Sequence, residues 1–496
     1  MATAETALML NQHADYMIAS EETEPGIGWY YTNWVTKLGQ NTSMPTAEVG
    51  KNIVDDFISA CDQRCPGQKT TLSVIDLAEF SNTVPADLNA FAQSVSTLLT
   101  NKDYETVSQA RYGAREFAAS SKIDQVDLVN LALNLNNSEG KKLAESIKGA
   151  VKYNRTSSSM TNAYGVSIYF PYKRTSYVDS ACKTYDQINM DSSYAKCIKQ
   201  FASLETSGQI SAGGSEASSP LGSLLGSFTG GSGSSGGSSD LISSLLGGFL
   251  GGGRSSIAGL DSSNTAFMDE NPLSLDETAQ YLSQHYFDGK ALVWNKEDGK
   301  NTISLAEDQW KLVQRIDRNV FFDNGNGYAD LGLDNVYQFD DQKRLVADTE
   351  PTALAINNQI VAYYHTDTTE VDADHWTISG YVPALLNGER VKLIVVYDQD
   401  HRTGYVAGAE SDYHDGETQT AAKAIDSIQA GDKLQFLCDF YSYSGEYQDT
   451  YYLGNELTAG DSLTVSDLEI DNGPVKITYV FTDIFNQEHW TDAVSE

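Results

Sequence analysis

Positive charge is scarce in this sequence, which has 33 lysines and arginines against 68 aspartates and glutamates over 496 residues, a formal net charge of −35. A surface this acidic repels phosphate backbones, so we expect no nucleic-acid partner. No apolar run approaches the roughly 20 residues that a membrane span requires. Residues 1–20 also lack a basic start followed by an apolar stretch, so we predict neither a membrane span nor a signal peptide.

Cysteine is scarce too, with five residues in the whole chain. Cys61 and Cys65 can close a small loop and Cys182 and Cys197 a larger one, which leaves Cys438 single. Two such pairs suit an exported protein, whereas five scattered thiols also suit a cytosolic one. A zinc site is the third alternative, but no histidine lies near either pair, and we predict no metal and no cofactor.

Residues 1–205 alternate between apolar residues at helical spacing and short β-rich runs. The helices and strands predicted from this pattern are Ala2–His13, Tyr16–Ser20, Thr46–Ala60, Leu72–Leu77, Pro85–Leu99, Asp124–Leu135, Glu139–Val151 and Gly165–Pro171. Strands separated by helices of this length predict an α/β fold with a mostly parallel sheet and helices on its faces.

The rest of the chain changes character twice. Residues 206–262 are dominated by glycine and serine, which predicts a flexible linker. Residues 263–345 are predicted as a small mixed α/β region, in which Ser304 and Glu307 match a capping box that opens a helix over Leu305–Ile316. Residues 346–496 contain alternating runs such as Leu434 to Phe440 with turn signals between them, which predicts an antiparallel β domain, a sandwich or a barrel.

Four sequence blocks carry a family resemblance. They are Ala14-Asp-Tyr-Met-Ile-Ala-Ser-Glu-Glu-Thr-Glu-Pro-Gly26 with Gly28-Trp29, then Gly165-Val-Ser-Ile-Tyr-Phe-Pro171, and the downstream runs Gly325–Asp334 and Ala355–Tyr364. The first block is the most specific. Together they resemble the clostripain-like cysteine peptidases, a family with a caspase-like fold.

The resemblance also implies what is missing. In that family a strand ends in Asp-Ala-Cys, and Met1 stands where the family has the methionine just after this cysteine. The resemblance therefore implies the C-terminal part of a caspase-like domain without the nucleophile and without the catalytic histidine, which belongs to an earlier strand. His13 is expected at a helix end, and Cys61 and Cys65 are expected to be structural, so no catalytic residue is predicted.

Part of a substrate cleft remains by the same resemblance. In caspase-like peptidases the strand after the nucleophile helix and its following loop line the pocket for the substrate side chain. By position, the predicted substrate-binding residues are Ala19, Ser20, Glu21, Glu22 and Trp29. Acidic side chains there suit an arginine or lysine of the substrate. Glu24 is instead interpreted as part of a solvated acidic loop.

The functional hypothesis is thus a clostripain-family endopeptidase that cleaves after arginine or lysine when intact and is inactive as written. Its expected partners are peptides or proteins with basic residues and a complementary N-terminal half, and its expected location, from the family, is extracellular or at the cell surface. The alternative is a non-catalytic surface binding or adhesion protein that uses the β domain of residues 346–496.

Two other patterns in the C-terminal half leave a ligand open. Asp323, Asn324 and Asp330 suggest calcium, but glycines at 325 and 327 occupy ligand positions of an EF-hand loop, so we predict a turn-rich connection and no metal. A set of tyrosines could form a carbohydrate or peptide platform, although tyrosine-rich β surfaces also occur without a ligand. These tyrosines are Tyr441, Tyr443, Tyr447, Tyr451 and Tyr452.

Overall fold

The computed structural model describes residues 1–65, 67–211, 266–269, 273, 275–297, 299–372, 374–412, 425–470 and 474–494. Within this part, the chain divides into two compact units, the first built from residues 1–210 and 266–284 and the second from residues 285–494. Residues 212–262 of the predicted linker lie outside the described residues. No helix in the described part is long and apolar enough for a membrane crossing.

The first unit combines eleven described α-helices with six short strands. The helices are α1 (Ala4–Leu10), α2 (Tyr31–Gln40), α3 (Thr46–Arg64), α4 (Leu77–Thr100), α5 (Tyr104–Tyr112), α6 (Leu128–Asn134), α7 (Ser138–Ala150), α8 (Val178–Gln187), α9 (Ser192–Ser211), α10 (Ala266–Asp269) and α11 (Leu275–Gln284). The strands are β1 (Tyr16–Ala19), β2 (Thr71–Asp76), β3 (Glu116–Phe117), β4 (Gln125–Asp127), β5 (Val151–Thr156) and β6 (Ser167–Tyr169).

The strands of the first unit form two three-stranded sheets, ordered β1–β2–β5 and β3–β4–β6. Every strand pair described in them is antiparallel, and a bridge between Thr3 and Ser167 is parallel. The prediction of a mostly parallel sheet is therefore wrong. The predicted mixture of helices and strands is confirmed. The spacing of apolar residues indicates which segments are helices and which are strands, but it does not indicate the direction in which two strands pair.

Helix α3 shows how this unit buries its apolar residues. Ile53, Val54, Phe57 and Ile58 recur at helical spacing and pack against Leu72 and Val74 of β2 in one cluster. Helix α4 begins at Leu77, where the N-cap Asp76 accepts a hydrogen bond from the backbone N of Glu79 at 2.9 Å. The prediction that a helix starts at Pro85 is wrong, since this proline lies inside α4.

The second unit is rich in strands. It has one described α-helix, α12 (Glu307–Trp310). Its strands are β7 (Asn295–Glu297), β8 (Lys300–Ile303), β9 (Val313–Asp323), β10 (Tyr328–Asp334), β11 (Gln338–Phe339), β12 (Leu345–Val346), β13 (Thr352–Ile356), β14 (Gln359–Ile360), β15 (Tyr363–Asp372), β16 (His375–Leu386), β17 (Glu389–Asp398), β18 (Tyr405–Ser411), β19 (Ile425–Asp426), β20 (Lys433–Tyr441), β21 (Tyr447–Thr458), β22 (Val465–Glu469), β23 (Val475–Asp483) and β24 (Glu488–Trp490).

Eleven of these strands form one sheet, ordered β19–β18–β17–β16–β15–β10–β9–β23–β24, with β20 and β21 attached. Because β20 pairs with both β10 and β16, the strands β10, β15, β16 and β20 close into a ring. Only β10 and β15 pair in parallel among the strands described in this sheet. The predicted strand-rich C-terminal region is confirmed, and the ring is closer to the barrel alternative than to two sheets packed face to face.

The sheet crosses the predicted boundary at residue 345. β9 and β10 lie before this boundary, yet β9 pairs with β23 along its length and β10 pairs with β15 and β20. The predicted helix over Leu305–Ile316 is wrong, because α12 spans only Glu307–Trp310 and its N-cap Ala306 offers no side-chain bond. Residues from Val313 onward belong to β9, where pairing with β23 outweighs the local helix signal.

Candidate substrate-binding segment

One hydroxyl group organises the turn that follows β1. Thr71 Oγ1 accepts hydrogen bonds from the backbone N of Glu21 at 2.9 Å and of Glu22 at 3.1 Å, and lies 3.0 Å from Ser20 Oγ. Ser20 Oγ in turn donates to the backbone O of Glu22 at 2.5 Å. All four residues are buried. Thr71 is the first residue of β2, so the pairing of β2 with β1 places its hydroxyl beside the turn.

Glu21 forms a buried carboxyl pair. Its Oε2 accepts a hydrogen bond from the backbone N of Gly165 at 2.9 Å, and its side chain bonds to that of Asp127. Burial, followed by the charge of Asp127, raises the pKa of Glu21 well above its usual value, and burial raises the pKa of Asp127 to about 6. Two carboxyls in contact favour sharing one proton. Glu21 is therefore a buried structural group that holds its proton more tightly than an exposed glutamate.

Glu22 connects the same turn to a distant loop. Its Oε1 accepts from the backbone N and the Oγ1 of Thr23 at 2.8 and 2.9 Å. Its two carboxylate oxygens also lie 3.3 and 3.2 Å from the backbone N of Ala118, which donates to them. Ala118 has a left-handed backbone with φ of 49°. The hydrogen bond that Ala118 donates to Glu22 helps to hold this unfavourable backbone conformation.

Ala19 and Trp29 are half-buried and stand at the margin of this arrangement. The backbone O of Ala19 accepts a hydrogen bond from Ser73 Oγ at 3.2 Å. Trp29 packs against the α3–β2 cluster, and its Nε1 donates to Glu24 Oε2 at 2.9 Å. Partial burial raises the pKa of Glu24. The structure thus groups Ser20, Glu21 and Glu22 in one network and gives Trp29 a separate partner.

The first residues of the chain lie directly beside this network. The backbone N of Ala2 donates to the O of Ser20 at 2.7 Å, and the backbone N of Ser167 donates to the O of Ala2 at 2.8 Å. Thr3 also forms the parallel bridge to Ser167. This short extended segment therefore connects the end of β1 with β6.

The cysteines are poor candidates for a nucleophile. All five are buried and none is in a disulfide, so neither of the two predicted cysteine pairs is bonded in the structure. Burial raises the pKa of Cys61 to about 12, and burial also raises the pKa of Cys65, Cys197 and Cys438. A thiol must lose its proton to attack a carbonyl. His13 lies exposed after α1, and the described residues contain no group of three or more potential metal ligands.

Residues 1–211 match the model of the clostripain family. These matched residues are called the clostripain-family region below. Two solved structures are similar: a B. fragilis cysteine protease at 16% identity, covering 38% of this chain and 80% of that one, and a clostripain from Bacteroides thetaiotaomicron in complex with a peptide inhibitor at 17% identity, covering 34% and 73%. Both have a TM-score of 0.25. No curated protein matches.

Three residues that interact with Ser20, Glu21 or Glu22 were not predicted from the sequence as part of the site. Asp127 carried a local signal, because it is the N-cap of α6 and accepts from the backbone N of Asn130 at 2.6 Å. Gly165 begins one of the blocks that resemble the family, and its φ of 107° with a Cβ position 2.9 Å from Ser73 Cβ requires glycine. Thr71 carried no local signal, since its role depends on pairing with a strand that lies 50 residues earlier.

A second buried acidic residue in the clostripain-family region yields a test. Glu205 on α9 is fully buried, and neither of its carboxylate oxygens has a hydrogen-bond partner in the described part of the chain. Burial, and then the charge of Asp124, raises the pKa of Glu205 well above its usual value of 4.5. A raised pKa means that the folded state holds the proton more tightly, so this stability is full below pH 4.5 and declines as the pH rises towards the folded-state pKa.

We therefore expect Glu205→Gln to protect α9 more than the parent chain at pH 8, by about 1–3 kcal/mol, with a smaller difference at pH 5. Hydrogen exchange of α9 peptides in the full chain, compared at each pH, measures the difference. Glu145→Gln, at an exposed position of α7, is the matched control and should leave α9 unchanged. Equal protection of parent and Glu205→Gln at both pH values would contradict the expectation.

Proposed function

We propose that this chain carries the substrate-binding side of a cysteine endopeptidase that cleaves after arginine or lysine, and that it does not cleave peptides by itself. The match of residues 1–211 to the clostripain family is the observation that carries the proposal. The buried network around Ser20 and Thr71 supports it, because a binding segment must be held rigidly to position a substrate.

In this proposal the five residues divide into two roles. Ser20, Glu21 and Glu22 act as positioning residues, because their side chains are buried and bonded within the protein. Ala19 and Trp29, which are half-buried, contact the substrate. The carboxylate of Glu24, next to the indole of Trp29, is better placed than buried Glu21 to receive a basic side chain through a charge-assisted hydrogen bond.

The proposed inactivity rests on the thiols. Peptide cleavage by cysteine needs a thiolate with a neighbouring imidazole. Cys61, Cys65, Cys182 and Cys197 are all buried, and His13 lies on the surface. A complementary polypeptide that carries a histidine and a cysteine is therefore proposed as a partner, alongside peptide substrates with basic residues. We also propose an extracellular or cell-surface location, which rests on the family alone and which cell fractionation would check.

The experiment compares fluorogenic peptides that end in arginine, lysine or alanine before the reporter. We expect the full chain alone to release no reporter from any of them. Refolded with a family segment that supplies histidine and cysteine, it should cleave the arginine and lysine peptides at least about tenfold faster than the alanine peptide. The same segment with serine for cysteine is the control. Cleavage by the chain alone that disappears in Cys61→Ala or Cys65→Ala would overturn the proposal.

A second candidate function is non-catalytic surface binding through the β-rich C-terminal part, favoured by its exposed tyrosines. Because the sheet crosses residue 345, removing residues 285–496 is a cleaner deletion than removing residues 346–496. A binding protein should lose ligand attachment in this deletion. A reconstituted peptidase should keep part of its cleavage.

A further inference from the structure

Strand β21 is an exposed edge of the large sheet. It pairs with β20 on one side, and no other described strand pairs with it. Most of its residues are exposed on both faces, which is unusual for a strand of twelve residues. Strands β20 and β21 form an antiparallel hairpin, and four exposed tyrosine side chains lie along it. They are Tyr443 (45%), Tyr447 (52%), Tyr451 (38%) and Tyr452 (50%).

The protein holds at least two of these rings in fixed orientations. The ring of Tyr451 stacks on that of Phe440 with centroids 5.2 Å apart and an interplanar angle of 24°. The ring of Tyr443 meets that of Tyr328 edge-on at 5.3 Å, and its hydroxyl donates to Asp323 Oδ1 at 2.7 Å. Exposed rings fixed in this way lose little entropy when they bind a ligand.

The backbone of β21 shows which groups face outward. Gln359 Nε2 donates to the backbone O of Leu453 at 3.0 Å and of Asn455 at 2.9 Å. The carbonyl of Leu453 therefore points away from β20. In an antiparallel strand the outward residues alternate, so the N–H and C=O groups of Tyr451 and Asp449 also point away from β20.

Acidic side chains outnumber basic ones along β20 and β21, where Lys433 at the start of β20 pairs with Glu456. Residues 434–458 contain four acidic residues and neither lysine nor arginine. Within the described part of the chain, Glu446 and Asp449 form no ion pair, and both lie at the exposed end of the hairpin. Arginine and lysine side chains pair with carboxylates and stack on tyrosine rings. Sugars also stack on tyrosine rings, but a neutral sugar has no cation to pair with the carboxylates and no alternating N–H and C=O groups to match a strand edge.

We propose that β21 binds an extended polypeptide segment rich in arginine or lysine, which adds to the sheet as a further strand beside Asp449 and Tyr451. The outward backbone groups supply hydrogen bonds, and the tyrosines and carboxylates select basic side chains. This binding site lies in the second unit and does not depend on the proposed peptidase function.

The first experiment measures binding of the full chain to a labelled ten-residue peptide of alternating arginine and threonine by fluorescence anisotropy. Its glutamate–threonine counterpart should bind at least about tenfold more weakly, because the carboxylates repel it. A version of the arginine peptide with N-methyl groups on alternate amides should lose binding in one of the two methylation registers, since a paired strand presents alternate N–H groups to its neighbour. These probes leave the protein unaltered.

The second experiment uses a matched pair of substitutions. Asp449→Ala removes the carboxylate, whereas Asp449→Pro removes the carboxylate and the outward N–H group. A proline is tolerated on an edge strand where its N–H would face solvent, so both variants should fold, which circular dichroism checks. We expect Asp449→Pro to bind the arginine peptide at least about fivefold more weakly than Asp449→Ala.

The two experiments distinguish strand addition from other modes of binding. Weaker binding in Asp449→Pro than in Asp449→Ala, with loss in one methylation register, supports strand addition. Absence of binding by the arginine peptide, or equal binding of the glutamate peptide, would overturn the proposal. Binding of a linear oligosaccharide such as cellohexaose that displaces the peptide without any effect of N-methylation would also overturn it and would assign the tyrosines to sugar recognition.

Discussion

Arg111→Met is expected to lower the free energy of unfolding of the clostripain-family region by about 3–5 kcal/mol, because removing one member of a buried ion pair leaves an uncompensated charge. The Arg111 side chain is 1% exposed, and its Nη2 lies 3.1 Å from Asp124 Oδ1. Its Nε also donates to the backbone O of Phe170 at 2.9 Å, and its guanidinium lies 5.2 Å from the ring centroid of Tyr172. Urea unfolding followed by pulsed hydrogen exchange on α5 peptides measures the loss.

The effect should be large because Asp124 organises a turn of its own. Its carboxylate accepts from three successive backbone N–H groups, those of Tyr172 at 3.1 Å, Lys173 at 2.9 Å and Arg174 at 2.8 Å. Burial raises the pKa of Asp124, and the charge of Arg111 opposes this increase. Without Arg111, the same carboxyl would hold its proton more tightly and its oxygens would accept those three bonds more weakly.

The chain offers a matched control for Arg111. Arg174 also lies over a tyrosine ring, that of Tyr177, at 4.9 Å from the centroid, but it is exposed. Arg174→Met removes the same charge and the same kind of ring contact at the surface, and we expect a loss of less than about 1 kcal/mol. Equal losses in Arg111→Met and Arg174→Met would show that burial of the ion pair does not set the cost.

Local sequence patterns were sufficient for the positions of several elements. The strand predicted at Tyr16–Ser20 is β1 at Tyr16–Ala19, and the helix predicted at Thr46–Ala60 is α3 at Thr46–Arg64. In both cases the apolar spacing matches the face that is buried in the α3–β2 cluster. Such patterns depend on neighbours within about one or two turns of chain, which is why they were readable.

Strand direction and helix limits required information that lies far away in the sequence. Antiparallel pairing of β1 with β2 depends on how α2 and α3 reverse the chain, which no periodicity reports. Helix α4 continues through Pro85 because Val84, Leu88 and Phe91 are buried on the same helix. This burial offsets the backbone hydrogen bond that the proline cannot donate. The first residues of β9 were predicted as a helix, but they form a strand because β9 pairs with β23, more than 150 residues later in the sequence.

The candidate site shows the same division. The family block contains Ser20, Glu21 and Glu22 as consecutive residues, and the structure joins them in one hydrogen-bond network. The sequence could not show that Glu21 is enclosed, because its partners Asp127 and Gly165 lie more than 100 residues away. Its predicted contact with substrate stays a prediction, and the burial of its carboxyl and the bond to Gly165 favour a positioning role.

Thr71→Val tests whether this network holds the binding segment. Valine has nearly the shape of threonine but cannot accept a hydrogen bond, so the backbone N–H groups of Glu21 and Glu22 lose the bonds to Oγ1. We expect the free energy of unfolding to fall by about 2–4 kcal/mol, the cost of weakening two buried donors together with the contact to Ser20 Oγ. Hydrogen exchange of a peptide covering residues 16–24 in the full chain measures the local loss.

Thr71→Ser is the matched control, since it keeps the hydroxyl and removes one methyl group. It should retain most of the protection of residues 16–24, with a loss of about 1 kcal/mol from the missing methyl group. In a reconstituted peptidase, Thr71→Val should raise KM for arginine peptides more than it lowers kcat, because the segment that orients the substrate is loosened while the thiolate and imidazole are untouched. If the valine variant were protected as well as the serine variant, the hydroxyl would contribute no more than the methyl group to holding the turn, and the positioning role assigned to Ser20, Glu21 and Glu22 would fail.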